Sequence, residues 1–494
     1  MKKFLFAFTA LLIGSWCAFA QPPYKVYTSP KLPVRDALER MNLQVAWNTR
    51  VTVDGNRDGI LSVQLLPGAT NQLVVQTYKG AIFLYDADTG DLIWKTRAGE
   101  AFWSAQPAAF NTQSIFVTRR NMLYVLNRYD GSQRVYTLDP VRKRIDFGYP
   151  LLFTPNAAPV ADENFLYLSM GDRLSAIVIP DFAGIERARK HIEKLKKEGK
   201  PILPTDEDYV PEGPDSPQPD FYWGYKFATQ FLATPPLVYG EQLSMLTTDG
   251  VMTSVGRFGR GPREELFEFK LIGKSPAAAA QYRNIAYVGS DDFNVYAINM
   301  NNGRLAWRHV SGAPILIPPV ANDADVFVSP KRTGLRRLDR LTGREMWTNR
   351  DTERFLAANP AYVYALDHIG KFYVVDMRRG TTLATHDLSD WAISIANEWT
   401  DRIYLAANDG QVLCLRHRDF AKPLVMRTPD VLKVREEKKP KEEPKKEEKK
   451  EEEKKDDKDK AARRPFELPE VEFVAIRADG GTAPKDDRRW RAGR

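Results

Sequence analysis

The chain has 494 residues, of which 43% are hydrophobic and 28% charged, and its formal net charge is +8. Much of this excess of positive charge lies near the two ends of the chain. Lys2 and Lys3 add two positive charges, and residues 433–464 carry 15 basic and 12 acidic side chains. A nucleic-acid-binding face would gather basic residues on one surface and interleave them with aromatics. The sequence has no such stripe, so we expect no nucleic-acid partner.

Residues 1–20 have the pattern of an export signal. Lys2 and Lys3 precede the apolar run FLFAFTALLIG, and Ala18-Phe19-Ala20 supplies the small-residue pattern for cleavage before Gln21. The apolar run is short for a transmembrane helix, and polar residues follow it directly. We therefore expect an exported protein of the periplasm or cell envelope, with the signal cleaved after Ala20.

Residues 21–41 are expected to form a lead-in with a short helix. The next stretch, LQVAWNTRV from Leu43 to Val51, resembles the last, Trp-bearing strand of a unit that recurs later in the chain, but no hairpin precedes it. We expect this strand to complete the last unit of a closed ring, so that no sheet edge stays open. Alternatively, Leu424–Thr428 fills that position.

A hairpin motif recurs through the centre of the chain. Its clearest copy is AIFLYDADTGDLIWKTR, from Ala81 to Arg97, and it returns from Asn294 to Val310 and from Gly334 to Arg350. Weaker copies run from Met122 to Leu138 and from Lys371 to Asp387. The turn glycines lie 41 residues apart from Gly90 to Gly131, 40 from Gly303 to Gly343 and 37 from Gly343 to Gly380. Hairpins that repeat with this period are typical of propeller blades.

Each copy combines three kinds of residue with local physical roles. An Asp or Asn at the strand end can accept backbone hydrogen bonds from the turn, and Gly takes the positive φ that the turn requires. Trp on the next strand can fill the gap between neighbouring blades. The structural residues predicted in this way are Asp86, Gly90, Trp94, Asn127, Gly131, Asn299, Gly303, Trp307, Asp339, Gly343, Trp347, Asp376 and Gly380.

Degenerate units bring the number of blades to eight. They lie at Arg173–Pro180, Val251–Phe258 and Gln411–Arg418. Without its insertion, the repeat region gives about 43 residues for each of eight blades, whereas seven blades would need about 49 each. We therefore predict an all-β, eight-bladed propeller over residues 42–430, with seven blades as the alternative.

Residues 184–220 interrupt the repeats. Ile185, Ala188, Ile192 and Leu195 stand at helical spacing in GIERARKHIEKLKKEGK, which predicts a short amphipathic helix. An acidic, Pro-rich stretch follows it. We expect the helix to lie over one end of the propeller; the alternative is a docking element for a partner.

The C-terminal part of the chain differs in composition from the repeats. Residues 431–464 are rich in Lys and Glu and almost free of apolar side chains, which predicts a disordered, coiled-coil-like charged linker. Residues 465–494 contain a short apolar segment, FELPEVEFVAIR from Phe466 to Arg477. Such a segment can add to an exposed sheet edge of a partner.

The repeat units resemble the pyrroloquinoline-quinone-type propeller repeat, whose consensus is similar to ALDAxTGxxxW. LYDADTGDLIW matches it closely, AINMNNGRLAW and RLDRLTGREMW match it well, and the resemblance covers most of residues 42–427. It implies the propeller fold. Repeats of this type occur in quinoprotein dehydrogenases, in the outer-membrane assembly propeller lipoprotein of bacteria, and in exported proteins with no assigned role.

The resemblance also implies what a quinone enzyme would need. Quinoprotein dehydrogenases use a calcium ion, an Asp base and usually two adjacent cysteines, whereas this chain has only Cys17 and Cys414. No GxSxG or HExxH motif occurs. We expect no catalytic residues, no quinone cofactor and no metal site. Metal-ligand spacing is also missing among the five histidines, which are His191, His309, His368, His386 and His417.

Two classes of function remain. The first is an exported, non-catalytic scaffold that binds envelope proteins through its loops and tail. The alternative is a quinone-dependent or other cryptic oxidoreductase with its site in the propeller channel, which would need polar and charged residues that converge there. We expect a monomeric propeller, and peripheral association with a membrane stays open.

Overall fold

The structure is a computed structural model that describes residues 29–53, 58–68, 70–139, 144–198, 217–227, 232, 234–259 and 261–428. The chain divides into two units, Met1–Glu436 and Glu437–Arg494, and all the described residues belong to the first. The export pattern, residues 203–216 of the acidic Pro-rich stretch, the charged linker and the terminal segment lie outside the described residues. Within the described part, no helix is long and apolar enough to cross a membrane.

Eight four-stranded antiparallel sheets form the blades, so the prediction of an eight-bladed propeller is confirmed. We label the four strands of each blade A to D in chain order, and in the last blade the N-terminal strand serves as strand D. Strand A borders the central channel and strand D lies at the rim. Strands B and C are buried on both faces, as in Phe165–Met170, because each blade packs between two neighbours. Strand D alternates between buried and exposed side chains, as in Leu305–Val310, since its edge faces solvent.

The chain enters through a short helix, α1 (Arg35–Arg40), and a first strand, β1 (Leu43–Arg50). Blade 1 consists of β2 (Ile60–Leu66), β3 (Gln72–Thr77), β4 (Ala81–Asp86) and β5 (Leu92–Arg97). Blade 2 consists of β6 (Ala109–Phe110), β7 (Ser114–Arg119), β8 (Met122–Asn127) and β11 (Tyr149–Pro150). A separate hairpin of β9 (Tyr136–Asp139) and β10 (Arg144–Phe147) is inserted between β8 and β11. Blades 3 and 4 consist of β12 (Val160–Ala161), β13 (Phe165–Met170), β14 (Arg173–Val178), β15 (Asp220–Lys226), β16 (Leu237–Tyr239), β17 (Gln242–Leu246), β18 (Val251–Gly256) and β19 (Glu265–Lys270).

The second half of the ring continues without an insertion. Blades 5 and 6 consist of β20 (Ala280–Tyr282), β21 (Ile285–Gly289), β22 (Asn294–Asn299), β23 (Leu305–Val310), β24 (Val320–Ala321), β25 (Asp325–Val328), β26 (Leu335–Asp339) and β27 (Glu345–Asn349). Blades 7 and 8 consist of β28 (Arg354–Ala358), β29 (Tyr362–Leu366), β30 (Lys371–Asp376), β31 (Thr382–Asp387), β32 (Ile393–Ser394), β33 (Ile403–Ala406), β34 (Gln411–His417) and the N-terminal β1.

The N-terminal strand closes the ring. β1 pairs antiparallel with β34, from Leu43 opposite His417 to Arg50 opposite Gln411. The expectation that this strand completes the last blade is confirmed, and the alternative, in which Leu424–Thr428 fills the position, is wrong. Because the N-terminal β1 is the fourth strand of blade 8, both ends of the repeat region belong to one sheet. β1 also covers the outer edge of β34, which would otherwise be unpaired.

The insertion between β14 and β15 begins with a helix, α2 (Phe182–Lys197). It starts two residues before the predicted Gly184, because Asp181 caps it and accepts a hydrogen bond from the Gly184 backbone N–H at 3.2 Å. Phe182 and Ala188 are its buried residues. Phe182 packs into the core between blades 2 and 3, which fixes the start of the helix on the propeller.

The core is divided among the gaps between blades. Eight hydrophobic clusters each join residues of two neighbouring blades, and the series closes between blade 8 and blade 1. In the gap between blades 1 and 2, for example, Leu84 and Trp94 pack against Val117 and Leu126. Stability therefore depends on each gap being filled in turn.

Candidate functional site

The Asp and Asn residues of the repeat hold turns in separate blades. The Asp86 side chain accepts hydrogen bonds from the backbone N–H groups of Asp88 at 2.8 Å and Thr89 at 2.9 Å. The Thr342 hydroxyl and N–H bind Asp339 in the same way and hold the pKa of that carboxyl below its usual value. The other members of this set are Asn127, Asn299 and Asp376. Each of these side chains is engaged by its own C–D turn, away from strand A and the channel, so they do not form a common site.

The turn glycines lie against tryptophans of the preceding blade. Gly343 has φ of +70°, and a Cβ added there would lie 2.5 Å from the ring of Trp307. Trp307 Nε1 donates to the backbone carbonyl of Arg340 at 3.0 Å. The same pairing joins Trp94 to Gly131 and Trp347 to Gly380, whereas Gly90 receives Trp47 and Gly303 receives Phe267. An aromatic ring thus packs over a turn glycine at five of the eight junctions between blades.

One further tryptophan occupies this position without having been predicted. Trp223 Nε1 donates to the carbonyl of Arg257 at 2.8 Å, in the gap between blades 3 and 4. Its strand is separated from β14 by the insertion, so the hairpin spacing that marks the other copies is lost. A Trp that follows an apolar strand after a long polar insertion is the signal that would have found it.

Replacing Gly343 by alanine is expected to cost about 3 kcal/mol or more of unfolding free energy, since strain from positive φ adds to overpacking against Trp307. Gly312 is the matched control, because its φ is +72° and nothing lies within 4 Å of an added Cβ. Gly312→Ala should cost only the strain, about 1–2 kcal/mol. Urea unfolding of both variants measures the difference. Equal losses of unfolding free energy would contradict the close packing of Trp307 over Gly343.

The central channel contains a cavity of about 570 Å3. Most of its lining is apolar, including Leu237, Phe355 and two proline pairs, Pro235-Pro236 and Pro318-Pro319. The charged residues of the lining are Arg354, Glu398 and Arg427. Arg354 donates to the backbone carbonyl of Asp367 at 3.4 Å, so it is held by its own blade.

Glu398 and Arg427 pair with each other at the channel. Arg427 Nη1 lies 2.6 Å from Glu398 Oε1, and the guanidinium lies 4.4 Å from the ring centroid of Trp399 and 5.6 Å from that of Tyr282. Burial raises the pKa of Glu398, although Arg427 opposes this effect. Glu398 and Arg427 therefore neutralise each other within the protein, and two aromatic rings pack against the Arg427 guanidinium.

Arg427 reaches the channel because the chain crosses its mouth after the last strand. We call Leu424–Thr428 the C-terminal strap. Its start binds blade 8, where the Leu424 N–H donates to Asp401 Oδ1 at 2.9 Å, and its end binds blade 6, where the Thr428 hydroxyl donates to Asp323 Oδ2 at 3.0 Å. Asp323 lies in an A–B turn, so the strap covers the face that carries the A–B and C–D turns.

The opposite face exposes hydrophobic side chains. It consists of the B–C turns and the D–A connections, which meet at the same end of an antiparallel meander. Leu152 is 85% exposed, Ile272 75%, Phe102 68% and Ile369 64%. We call this surface the apolar face, and its exposed large hydrophobics are Tyr78, Phe102, Leu152, Phe153, Ile272, Phe293, Val310, Leu316 and Ile369. They are spread around most of the ring.

His309 and His417 lie in blades 5 and 8, and Cys414 shares strand β34 of blade 8 with His417. His309 lies 3.4 Å from Glu345, and burial lowers the pKa of His309. His417 stacks on Tyr362 with ring centroids 5.5 Å apart. Cys414 is fully buried, and burial raises the pKa of its thiol. Among the residues that the structure describes, no group of three His, Cys, Asp or Glu side chains is placed to hold a metal ion.

Two solved structures are similar to this chain. The crystal structure of BamB from Moraxella catarrhalis has a TM-score of 0.52 and 12% identity, over 76% of this chain and 97% of that chain, and at this identity the likeness concerns the fold alone. The computationally designed Ika8 protein has a TM-score of 0.49 and 15% identity, over 73% of this chain and 97% of that chain. No protein with a curated description matches the sequence.

A family model described as outer membrane protein assembly factor BamB matches residues 37–176 and 253–415. The matched stretches cover more than half of the chain, and the gap between them contains the insertion, β15 and the first two strands of blade 4. The resemblance of the repeats to the pyrroloquinoline-quinone type is confirmed by this match. The chain belongs to the family of PQQ-like β-propellers described as outer membrane protein assembly factor BamB.

Proposed function

We propose that the chain is an exported, non-catalytic scaffold of the cell envelope, monomeric by itself, that holds partner proteins against its apolar face. The apolar face carries this proposal, because nine exposed large hydrophobic side chains lie on it, and exposed apolar surface at one end of a fold marks a contact site. The family description supports an envelope location and a protein partner. The export pattern of residues 1–20 agrees with that location.

The channel supports the non-catalytic part of the proposal. Its lining is mostly apolar, and its ion pair, Glu398 with Arg427, is internal. General acid–base catalysis would need a carboxylate or imidazole within hydrogen-bond reach of a bound substrate. The Glu398 carboxylate is instead engaged by a guanidinium that the strap holds in place.

Capture from an envelope extract tests the proposal. The test variant is the full chain with Leu152→Ser, Ile272→Ser and Ile369→Ser. These substitutions remove three hydrophobic side chains of the apolar face, each from a different turn or connection. The matched control carries Tyr129→Ser, Leu341→Ser and Leu92→Ser, which are also exposed but lie in C–D turns or on strand D. Partners captured by the wild type and the control should be lost from the first variant. Equal capture by all three would show that the apolar face is not the contact surface.

A quinone cofactor is the competing possibility, since the channel cavity of about 570 Å3 could admit a small molecule. The residues do not fit it: the repeat carboxylates hold turns, and Glu398 is paired with Arg427. We expect no saturable binding when the protein is titrated with pyrroloquinoline quinone and calcium and followed by the absorbance of the quinone. One-to-one binding with dye-linked alcohol oxidation would favour the oxidoreductase instead.

Deleting residues 431–494 is expected to leave the melting temperature unchanged. The strap ends at Thr428, so its contacts with Asp401 and Asp323 would be kept. A deletion from residue 421 onward is the comparison, because it also removes the strap and should lower the melting temperature. Calorimetry of both truncated chains measures this. A drop of several degrees after the shorter deletion would make the tail a structural part of the propeller.

A further inference from the structure

A cationic cavity lies on the outer strands of blade 6, beside blade 5. Its volume is about 570 Å3, and it is separate from the channel. We call it the blade 5–6 cleft. The lining residues are Arg332, Thr333, Arg336, Glu345, Thr348 and Arg350.

Strand alternation brings these side chains to one side of blade 6. Leu338 packs in the core between blades 5 and 6, so Arg336, two positions before it on β26, faces blade 5 as well. Thr348 stands opposite Arg336 in the ladder, and Arg350 follows it by two positions. Arg332 lies in the turn between β25 and β26 with φ of +58°, at the open end of the cleft. Three guanidinium groups from different backbone segments therefore border one space.

The carboxylate of the cleft does not balance this charge. Glu345 accepts from Arg336 Nη1 at 2.9 Å and from the Thr348 hydroxyl at 2.5 Å. Within the described part of the chain, no carboxylate lies at ion-pair distance from Arg332 or Arg350, and both are exposed at the rim. Three positive side chains and one negative side chain leave two uncompensated positive charges.

Arg336 also keeps a donor unused. Its Nε is buried and has no hydrogen-bond partner among the described residues, although Nη1 of the same guanidinium binds Glu345. A buried donor without an acceptor is costly, so the Arg336 guanidinium gains a hydrogen bond if it turns toward an acceptor in the cleft.

We propose that the blade 5–6 cleft binds a phosphate monoester dianion. Two uncompensated positive charges match its charge, and its oxygens can accept from the arginine forks and from Thr333. A single peptide carboxylate would bring one charge and two oxygens. The cavity is large for a bare phosphate, so the group that carries the phosphate has room beside it. This inference does not depend on the scaffold role.

Variants at the rim test the cleft without disturbing the core. Arg332→Gln and Arg350→Gln change exposed side chains, and each should weaken phosphate binding about tenfold, because a hydrogen bond to a charged group is lost. Arg336→Lys keeps the charge but removes the planar fork, so it should also weaken binding. Arg379→Gln is the control, since it removes an exposed arginine from the C–D turn of blade 7, on the other face.

Titration calorimetry of the full chain with inorganic phosphate should give saturable one-to-one binding that salt weakens. The combined Arg332→Gln and Arg350→Gln variant should lose this binding, and Arg379→Gln should keep it.

Sedimentation with phosphatidylcholine vesicles, with and without phosphatidic acid, distinguishes a lipid headgroup from a soluble phosphate as the ligand. Binding to phosphatidic acid that needs both arginines identifies a lipid headgroup, and phosphate binding without vesicle binding identifies a soluble ester.

Three results would overturn the proposal. Phosphate and phosphatidic acid could both fail to bind. The control could weaken binding as much as the cleft variant, which would make the attraction a property of the overall charge. An oligoglutamate peptide could bind in a manner that depends on Arg332 and Arg350 while phosphate does not, which would make the cleft a site for acidic protein segments.

Discussion

Replacing Trp347 by alanine should lower the free energy of unfolding by about 3–5 kcal/mol. The indole is only 6% exposed and fills the gap between blades 6 and 7, where it lies over Gly380. Its Nε1 donates to the carbonyl of Met377 at 2.9 Å. Deleting the ring leaves a cavity between two rigid sheets, and these sheets cannot close it without shifting the blade.

Trp347→Phe separates packing from hydrogen bonding in this gap. It keeps an aromatic ring over Gly380 and removes the N–H, and the Met377 carbonyl still accepts from Arg337 Nη1 at 2.6 Å. We therefore expect a loss of about 1–2 kcal/mol, well below that of alanine. Urea unfolding midpoints of the two variants give the comparison. If alanine and phenylalanine cost the same, the hydrogen bond and not the packing would join the blades.

The sequence predicted those parts of the fold that have local causes. The Asp–turn–Gly pattern is visible because one side chain binds the next few backbone N–H groups, and the repeat spacing then indicates the number of blades. Leu43–Val51 could be assigned to the last blade because it is a rim strand without a hairpin of its own. Trp223 was not predicted because the insertion separates its strand from the rest of its blade.

The parts that could not be predicted depend on contacts between distant segments. The strap and Asp323 are 105 residues apart, and nothing near Arg427 indicates that it reaches the channel. The apolar face is equally hidden, because residues such as Leu152 and Ile272 lie in irregular connections where no periodicity separates exposed from buried side chains. In the cleft, the alternation along β26 follows from the pattern, but the finding that no carboxylate among the described residues pairs with Arg332 or Arg350 does not.

Replacing Arg427 by alanine should lower the free energy of unfolding by about 1–3 kcal/mol. Glu398 would be left at the channel mouth without its partner, and the stack on Trp399 and Tyr282 would be lost. We place the cost below that of a fully buried pair, because the side chains are 9% and 23% exposed, so water screens part of the interaction.

The pH dependence of this variant follows from Glu398. Burial already raises the pKa of Glu398 in the folded protein, and the loss of Arg427 removes the effect that opposes it. Between the unfolded and the folded pKa, the folded state binds more protons than the unfolded state. The stability of Arg427→Ala should therefore fall as the pH rises through that window, more steeply than the stability of the wild type.

A second substitution identifies the cause of the loss. Adding Glu398→Gln to Arg427→Ala removes the unpaired charge, so it should recover part of the lost stability and abolish the extra pH dependence. Glu398→Gln alone should cost less than Arg427→Ala, since the Gln oxygen can still accept a hydrogen bond from Arg427 and Arg427 keeps its stack on Trp399. Thermal unfolding of the three variants across acidic and neutral pH provides the measurement. If the double variant recovers nothing, Arg427 stabilises the protein through its aromatic contacts and the path of the strap, and the ion pair contributes little.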